Sequence, residues 1–183
     1  MGRRGLAVFG ALLLAATLLS GTPARATGVV TGEDLQAISN ALGFLGELSH
    51  GAPITVAVVY AFDAQDAKLQ AAQTAATLNT IAGPNHSTFR SEILAVKDLA
   101  QTTNHYDVVL LMPSTMSQGA ILGEIARRKR LVTISTSPVC IETHCCVLMV
   151  NADGRVQIVL DTALADLVDA HFSSVFEMMV ERR

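Results

Sequence analysis

The sequence predicts an α/β fold: a three-layer domain with a mostly parallel sheet, an antiparallel C-terminal hairpin and helices on both faces. Strand and helix patterns alternate along the chain, which is typical of right-handed crossovers between parallel strands. Continuous apolar, β-branched runs predict strands that are buried on both faces, over 54–60, 107–112 and 131–136. Two further strands, 147–150 and 155–160, flank a turn that ends in Asp-Gly and therefore indicate a hairpin.

Two helices are predicted on either side of the first strand. The segment Thr31 to Asp34 is typical of a helix start, and apolar residues at helical spacing predict a helix over 33–48. After the strand, Asp63 is expected to cap a helix over 64–81, whose alanines share one face and allow close packing on a sheet.

The elements that follow complete the alternation. A weakly alternating segment over 89–96 predicts a strand, and a short helix over 98–103 leads to the next strand. A helix over 118–129 is expected to face inward through Ile121, Leu122 and Ile125. Near the C-terminus Asp161 is predicted to cap a helix, and an apolar stripe at helical spacing ends the chain: Phe172, Val175, Phe176, Met179 and Val180.

The first 26 residues are predicted to be a signal peptide. Arg3 and Arg4 precede an apolar run over 6–19, and Ala24-Arg25-Ala26 fits the small-x-small cleavage rule. Residues 27–183 would then form a single α/β domain, and no second apolar run in them approaches the roughly 20 residues that cross a bilayer. We therefore expect an exported, periplasmic protein from which the signal peptide has been removed.

Composition narrows the class of partner. Half of the chain is apolar and 16% is charged, which favours a packed core over disorder. Aromatic residues make up 4% with no tryptophan, and the formal net charge is −3. A chain with few stacking side chains and an acidic balance is not expected to bind nucleic acid.

Hydroxyl, carboxylate and aromatic side chains follow three of the predicted parallel strands. Ligands of open α/β sheets bind beyond the carboxyl ends of the strands, so these side chains predict a small-ligand crevice. Ordinary capping and turn roles would use the same residue types. The crevice would be formed by Tyr60, Asp63, Ser114, Thr115, Ser135 and Thr136.

No catalytic, cofactor-binding or metal-binding residues are predicted. The chain has no G-x-S-x-G, H-E-x-x-H or G-x-G-x-x-G motif, and its five histidines are scattered. Ser114 has no identifiable base beside it in the sequence pattern. We therefore expect a protein that is not an enzyme and that carries no cofactor.

Three cysteines, Cys140, Cys145 and Cys146, lie within seven residues of one another. In an exported protein a disulfide from Cys140 to either of the other two is the favoured interpretation, since that compartment is oxidising. A metal site that also uses His144 is an alternative, although its ligand spacing is unusual for zinc. A bridge between the adjacent Cys145 and Cys146 would be strained.

The C-terminal 55 residues or so resemble the YfiR-like (YfiR/HmsC) family of small periplasmic proteins. The likeness is carried by four short motifs in order: Leu131-Val-Thr-Ile-Ser-Thr-Ser-Pro138, Cys146-Val-Leu-Met-Val150, Gly154-Arg-Val-Gln-Ile-Val159 and Phe172-Ser-Ser-Val-Phe-Glu-Met-Met179. In the resembling pattern the residue that starts the hairpin strand aligns with Cys146. The resemblance therefore implies a Cys140–Cys146 disulfide with Cys145 left over.

The resemblance also implies a function. Its members restrain or tune a membrane signalling protein, often a diguanylate cyclase, so this chain would be a non-enzymatic regulator that binds the periplasmic segment of such a protein or of a sensor kinase. The apolar C-terminal stripe is also compatible with a homodimer. The alternative is a one-lobe periplasmic module that binds a small solute, because the strand-end crevice and the first strand are similar to a lobe of periplasmic binding proteins.

Overall fold

A single sheet with strand order β2-β1-β3-β4-β5-β6-β7 runs through the part of the chain that the structure describes, residues 28–48 and 51–183 of a computed structural model. The predicted signal peptide lies outside the described residues. The strands are β1 (Ile54–Tyr60), β2 (Phe89–Ala95), β3 (Val108–Leu111), β4 (Thr133–Ser135), β5 (Leu148–Asn151), β6 (Gln157–Leu160) and β7 (Glu181–Arg182). The first five run parallel, β6 is antiparallel to β5, and β7 is parallel to β6.

Seven α-helices and two 3-10 turns connect these strands within the described residues. The helices are α1 (Gly32–Leu42), α2 (Ala67–Leu78), α3 (Val96–Gln101), α4 (Gly119–Lys129), α5 (Val139–Glu142), α6 (Thr162–Leu167) and α7 (Ser174–Met179). The 3-10 turns are Pro84–His86 and Pro113–Gln118. No helix among these is long and apolar enough to cross a membrane.

Strand β1 lies near the centre of the domain because both of its faces are apolar. Val56 and Val58 belong to one core, which is completed by side chains of α1, α2, α6 and α7. Ala57 and Val59 belong to a second core, which is completed by α3, α4 and α5. Alternate side chains of a strand point to opposite faces, so this one segment contributes to both cores of a three-layer domain. The predicted fold class is confirmed.

The strands lie close to their predicted positions, and β1 coincides with its prediction over 54–60. In the C-terminal hairpin Met149 is opposite Val159 and Asn151 is opposite Gln157. The sequence pattern did not predict β7, which adds an outer strand to β6.

Several helix predictions are corrected by the structure. Asp63 does not cap α2: the chain makes further turns after β1, and Asp66 precedes the helix in a left-handed conformation without a side-chain cap bond. The first helix ends at Leu42 rather than near 48, because Leu45 forms a β-bridge with Phe172. Ile121 on α4 is 56% exposed instead of facing inward.

The apolar stripe at the C-terminus does not form one inward face. Phe176 is buried and stacks on both Phe44 and Phe172, with ring centroids 5.1 Å apart in each pair. Val175 and Met179 point outward and are more than half exposed. The reason is that α7 is only six residues long, after which the chain turns into β7.

Candidate functional site

A cavity of about 550 Å³ opens at the carboxyl ends of β3, β4 and β5. Each of these parallel strands is followed by a loop that forms part of the wall, and the start of α1 closes one side. Parallel strands bring these loops to the same edge of the sheet. The lining residues are Gly28, Val29, Thr31, Asp34, Pro113, Met116, Thr136, Ser137, Pro138, Val139, Asn151, Ala152 and Asp153.

Asp34 is the most buried charged group that lines the cavity, with 6% of its surface exposed. It occupies the third position of α1 in a capping box: Thr31 donates to its Oδ2 from the backbone N (2.9 Å) and from the hydroxyl (2.8 Å). In return the N–H of Asp34 donates to the Thr31 hydroxyl at 3.1 Å. The other carboxylate oxygen, Oδ1, accepts from the N–H of Ala152 at 2.8 Å.

The loops after β4 and β5 are held together by Asn151. Its amide nitrogen is 3.5 Å from the carbonyl oxygen of Thr136, and its Oδ1 accepts from the N–H of Asp153 at 2.8 Å. These bonds place Thr136 and Asp153 on the same cavity wall as Ala152. The wall is therefore built from backbone and side-chain contacts between neighbouring strand ends.

Apolar side chains form the rest of the wall. Val29 precedes α1, Met116 lies in the 3-10 turn after β3, and Val139 begins α5. Val29 and Val139 are 58% and 39% exposed, so they present apolar surface at the cavity rather than filling the core. The cavity thus combines an apolar surface with a few converging polar groups, which is typical of small-molecule sites.

The structure brings only one of the six predicted crevice residues to this cavity. Thr136 lines it, whereas Tyr60 lines a separate groove of about 480 Å³ beside α2 and β2. Asp63 is an exposed turn residue and lines neither. Ser114 lies after β3, with its hydroxyl 3.4 Å from the N–H of Ala61.

The remaining two residues are buried within the backbone of the sheet edge. The Thr115 hydroxyl donates to the Met112 carbonyl at 2.8 Å, and the Ser135 hydroxyl donates to the Leu111 carbonyl at 2.9 Å. Both side chains are fully buried. These are the ordinary structural roles that the sequence analysis weighed against a ligand role.

Sequence reasoning missed Asp34, Asn151 and Asp153. The Thr-x-x-Asp pattern at 31–34 identified a helix start, but nothing in it indicated that this start lies beside the β5–β6 turn. The Asn-Ala-Asp-Gly turn was interpreted only as a hairpin loop. A ligand role for these residues becomes visible only when the topology places α1 against β5.

The cysteine cluster lies on the opposite face of the sheet from α1 and contains a Cys140–Cys146 disulfide, as the resemblance implied. The Cα atoms of this pair are 5.4 Å apart, within the ordinary range. Cys145 is a free, fully buried thiol whose sulfur is 3.4 Å from the Thr143 hydroxyl. Burial raises the pKa of the Cys145 thiol, so it is a poor nucleophile at neutral pH.

Over residues 28–48 and 51–183, no group of three or more histidine, cysteine, aspartate or glutamate side chains is arranged to hold a metal ion. The cysteine cluster therefore does not form the metal site that was considered as an alternative. Two of its three sulfurs are committed to the disulfide.

Comparison with known proteins gives the fold and no family. No protein-family model and no curated protein matches the chain. One similar solved structure is the ABC domain from Streptococcus pneumonia in complex with L-Trp, with TM-score 0.56, 9% identity, and coverage of 82% of this chain and 60% of that one.

Another is the ligand-free, open structure of CD0873, a substrate binding protein with adhesive properties from Clostridium difficile. It has TM-score 0.52, 11% identity, and coverage of 85% of this chain and 60% of that one. The chain thus spans about three fifths of the length of each, and at such low identity the likeness is one of fold.

Proposed function

We propose that this domain binds a small organic molecule in the cavity at the carboxyl ends of β3, β4 and β5. The observation that carries the proposal is the cavity itself, about 550 Å³ in volume, with apolar walls and a buried carboxylate at Asp34. Open α/β sheets bind their ligands at this edge. The fold similarity to a substrate binding protein and to a domain that holds L-Trp supports the proposal.

The domain would act as a one-lobe binding module, by binding rather than catalysis, after export to the periplasm. The Cys140–Cys146 disulfide supports export, because such bridges persist in oxidising compartments. Export itself is tested by mass spectrometry of the secreted or periplasmic protein, which should begin at Thr27. Recovery of intact Met1 on a membrane-bound form would contradict it.

Ligand binding is tested by screening a library of small acids, amines, sugars and neutral compounds by NMR on the mature chain. Hits should shift the signals of Val29, Val139 and Ala152, which line the cavity. Val139→Trp should abolish these shifts, because the larger side chain fills the site. Val175→Trp is the matched control on α7, outside the cavity, and should bind as the original chain does. Equal binding by both variants would place the ligand elsewhere.

A second candidate function is regulation of a membrane signalling protein, of the diguanylate cyclase or sensor kinase type. It is favoured by the exposed apolar side chains of α7: Val175, Met178 and Met179 are 54%, 79% and 63% exposed. Exposed apolar surface of this kind is typical of a contact with another protein. In this proposal α7 would contact the periplasmic segment of the partner or, in a homodimer, a second copy.

The regulatory proposal is tested by placing a photo-crosslinking residue at Met178 in the native host. A crosslink to a membrane protein with a cyclase or kinase domain is expected, and Val175→Lys should abolish it. Ile121→Lys changes an equally exposed apolar residue on α4 and is the control. Crosslinks confined to a second copy of the chain would indicate a homodimer, and crosslinks to a permease would favour solute binding.

A further inference from the structure

From the charge distribution of the cavity we infer that its ligand is a cationic amine with an apolar body. This inference rests on the proposed binding function of the same cavity and specifies the class of molecule. It depends on three features: the carboxylates that line the cavity, the state of the α1 N-terminus, and the apolar wall opposite them.

The charged side chains that line the cavity are all acidic. Asp34 and Asp153 contribute carboxylates, and the described lining residues include no lysine, arginine or histidine. The other polar side chains on the wall, those of Thr31, Thr136, Ser137 and Asn151, are neutral. The field inside the cavity therefore attracts a positive charge and repels a carboxylate or phosphate.

Asp34 makes this asymmetry chemically specific. Its carboxylate is 94% buried, and within the described residues all of its hydrogen bonds come from neutral donors: the Thr31 N–H, the Thr31 hydroxyl and the Ala152 N–H. A buried carboxylate is costly unless a cation or several hydrogen bonds compensate it. An ammonium group bound in the cavity would supply that cation.

The start of α1 does not reverse the sign of this field. A helix N-terminus ordinarily favours anions, because its first N–H groups and its dipole are positive. Here Asp34 and Glu33 occupy the first turn, and the capping box satisfies the N–H groups of Thr31 and Asp34. The helix therefore has its own anion in place and offers little to a second one.

The apolar wall defines the other half of the ligand. Val29, Met116 and Val139 line the cavity, and the prolines Pro113 and Pro138 add rigid apolar surface. A hydrocarbon or aromatic body would bury surface against these side chains, which contributes roughly 25 cal/mol per Å². A free sugar or an inorganic ion would leave this surface without a partner.

The test uses matched compounds that share one body and differ in head group. Phenethylamine, 3-phenylpropionate and 2-phenylethanol form one set, and the corresponding butyl and indolylethyl compounds form two more. Dissociation constants are measured by NMR titration on the mature chain at low and high salt. Amines should bind at least about tenfold more tightly than the acids and alcohols with the same body, and added salt should reduce that preference.

A variant separates the role of charge from that of shape. Asp34→Asn should weaken amine binding about tenfold and leave the alcohols unaffected, since its amide keeps the size of the side chain but removes the charge. Asp153→Asn, on an exposed residue, is the second variant and should reduce the salt dependence without changing the fold. The comparison of head groups on the original chain holds even if Asp34→Asn fails to fold.

The outcomes distinguish the two levels of the proposal. Acids or alcohols that bind in the cavity as tightly as the amines would overturn the ligand class and leave the binding function standing. If no compound of the screening library or of the three sets shifts the signals of the lining residues at about 10 mM, the binding function itself is overturned. An amine preference that Asp34→Asn leaves unchanged would show that the buried carboxylate is not its source.

Discussion

Asp34 Oδ1 accepts a hydrogen bond of 2.8 Å from the N–H of Ala152, a residue 118 positions further along the chain. Through its other oxygen the same carboxylate closes the capping box of α1 with Thr31. One side chain therefore ties the first helix to the β5–β6 turn and also lines the cavity. The position of the candidate site depends on this link between the two ends of the domain.

Replacing Asp34 by alanine is predicted to destabilise the domain by about 2 kcal/mol, since it removes an N-terminal cap and leaves the buried N–H of Ala152 without its acceptor. The measurement is urea unfolding followed by circular dichroism. Glu33→Ala, an exposed acid in the same helical turn, is the control and should change stability by less than about 0.5 kcal/mol. Equal midpoints for the two variants would contradict the structural role of Asp34.

Gly123 on α4 is predicted not to tolerate alanine. A Cβ atom at this position would lie 2.7 Å from the carbonyl oxygen of His144, which is backbone and cannot rotate away. Although alanine favours helices by about 1 kcal/mol over glycine, we expect a net destabilisation of about 1–3 kcal/mol. Gly32→Ala is the control, because a Cβ there meets no atom within 4 Å. Thermal unfolding of both variants decides, and a Gly123→Ala protein as stable as Gly32→Ala would refute the close packing.

The sheet could be predicted from the sequence because its strands are buried on both faces. The run 54–60 has no polar face, and the structure places Val58 in one core and Val59 in the other. Such a segment fits only the interior of a parallel sheet. The C-terminal stripe failed for the opposite reason: helical spacing does not specify where a helix stops, so Val175 was predicted to face the core that Phe176 occupies alone in α7.

The site was predicted at the correct edge of the sheet but among the wrong side chains. Hydroxyls at strand ends suggested a crevice, yet the hydroxyls of Thr115 and Ser135 bind backbone carbonyls of the preceding strand. The polar groups that do line the cavity include Asp34 and Asn151, whose neighbourhood is created by contacts between distant segments. Local patterns predict caps and turns, but they do not specify which turn a helix start will meet.

The ion pair between His171 and Glu47 predicts a pH dependence of stability. Both the ring Nδ1 and the backbone N–H of His171 contact Glu47 Oε1, at 2.5 and 2.9 Å. This hydrogen bond and the charge of Glu47 raise the pKa of His171 above its ordinary 6.5. A histidine whose pKa is raised on folding contributes stability that is fully present below pH 6.5 and is lost as the pH rises through the folded value.

We therefore expect the melting temperature of the original chain to exceed that of His171→Gln most at pH 5.5 to 6.5, with the difference shrinking towards pH 9. Glu47→Gln removes the partner and should flatten the profile in the same way. Melting curves at constant ionic strength across this range provide the measurement. A difference that is constant with pH would mean that the pair stabilises the loop only through its neutral hydrogen bonds.

The disulfide and the free thiol give the last prediction. Cys140 and Cys146 are bridged over a separation of six residues, and Cys145 between them is buried beside Thr143. Closing so short a loop contributes about 2 kcal/mol in the chain-entropy model, so Cys146→Ala should lose about that amount, and Cys145→Ala should lose less because it keeps the bridge. Urea unfolding under non-reducing conditions compares the two variants.

The identity of the free thiol is established by alkylation before reduction, because single variants could re-pair. In the native chain N-ethylmaleimide should label no cysteine, since burial shields Cys145 and raises the pKa of its thiol. In urea without a reductant it should label one cysteine, and peptide fragmentation should locate the label at Cys145. A label at Cys146 would mean that Cys140 pairs with Cys145. In a strand successive side chains point to opposite faces, so that result would also require the chain entering β5 to turn the other way.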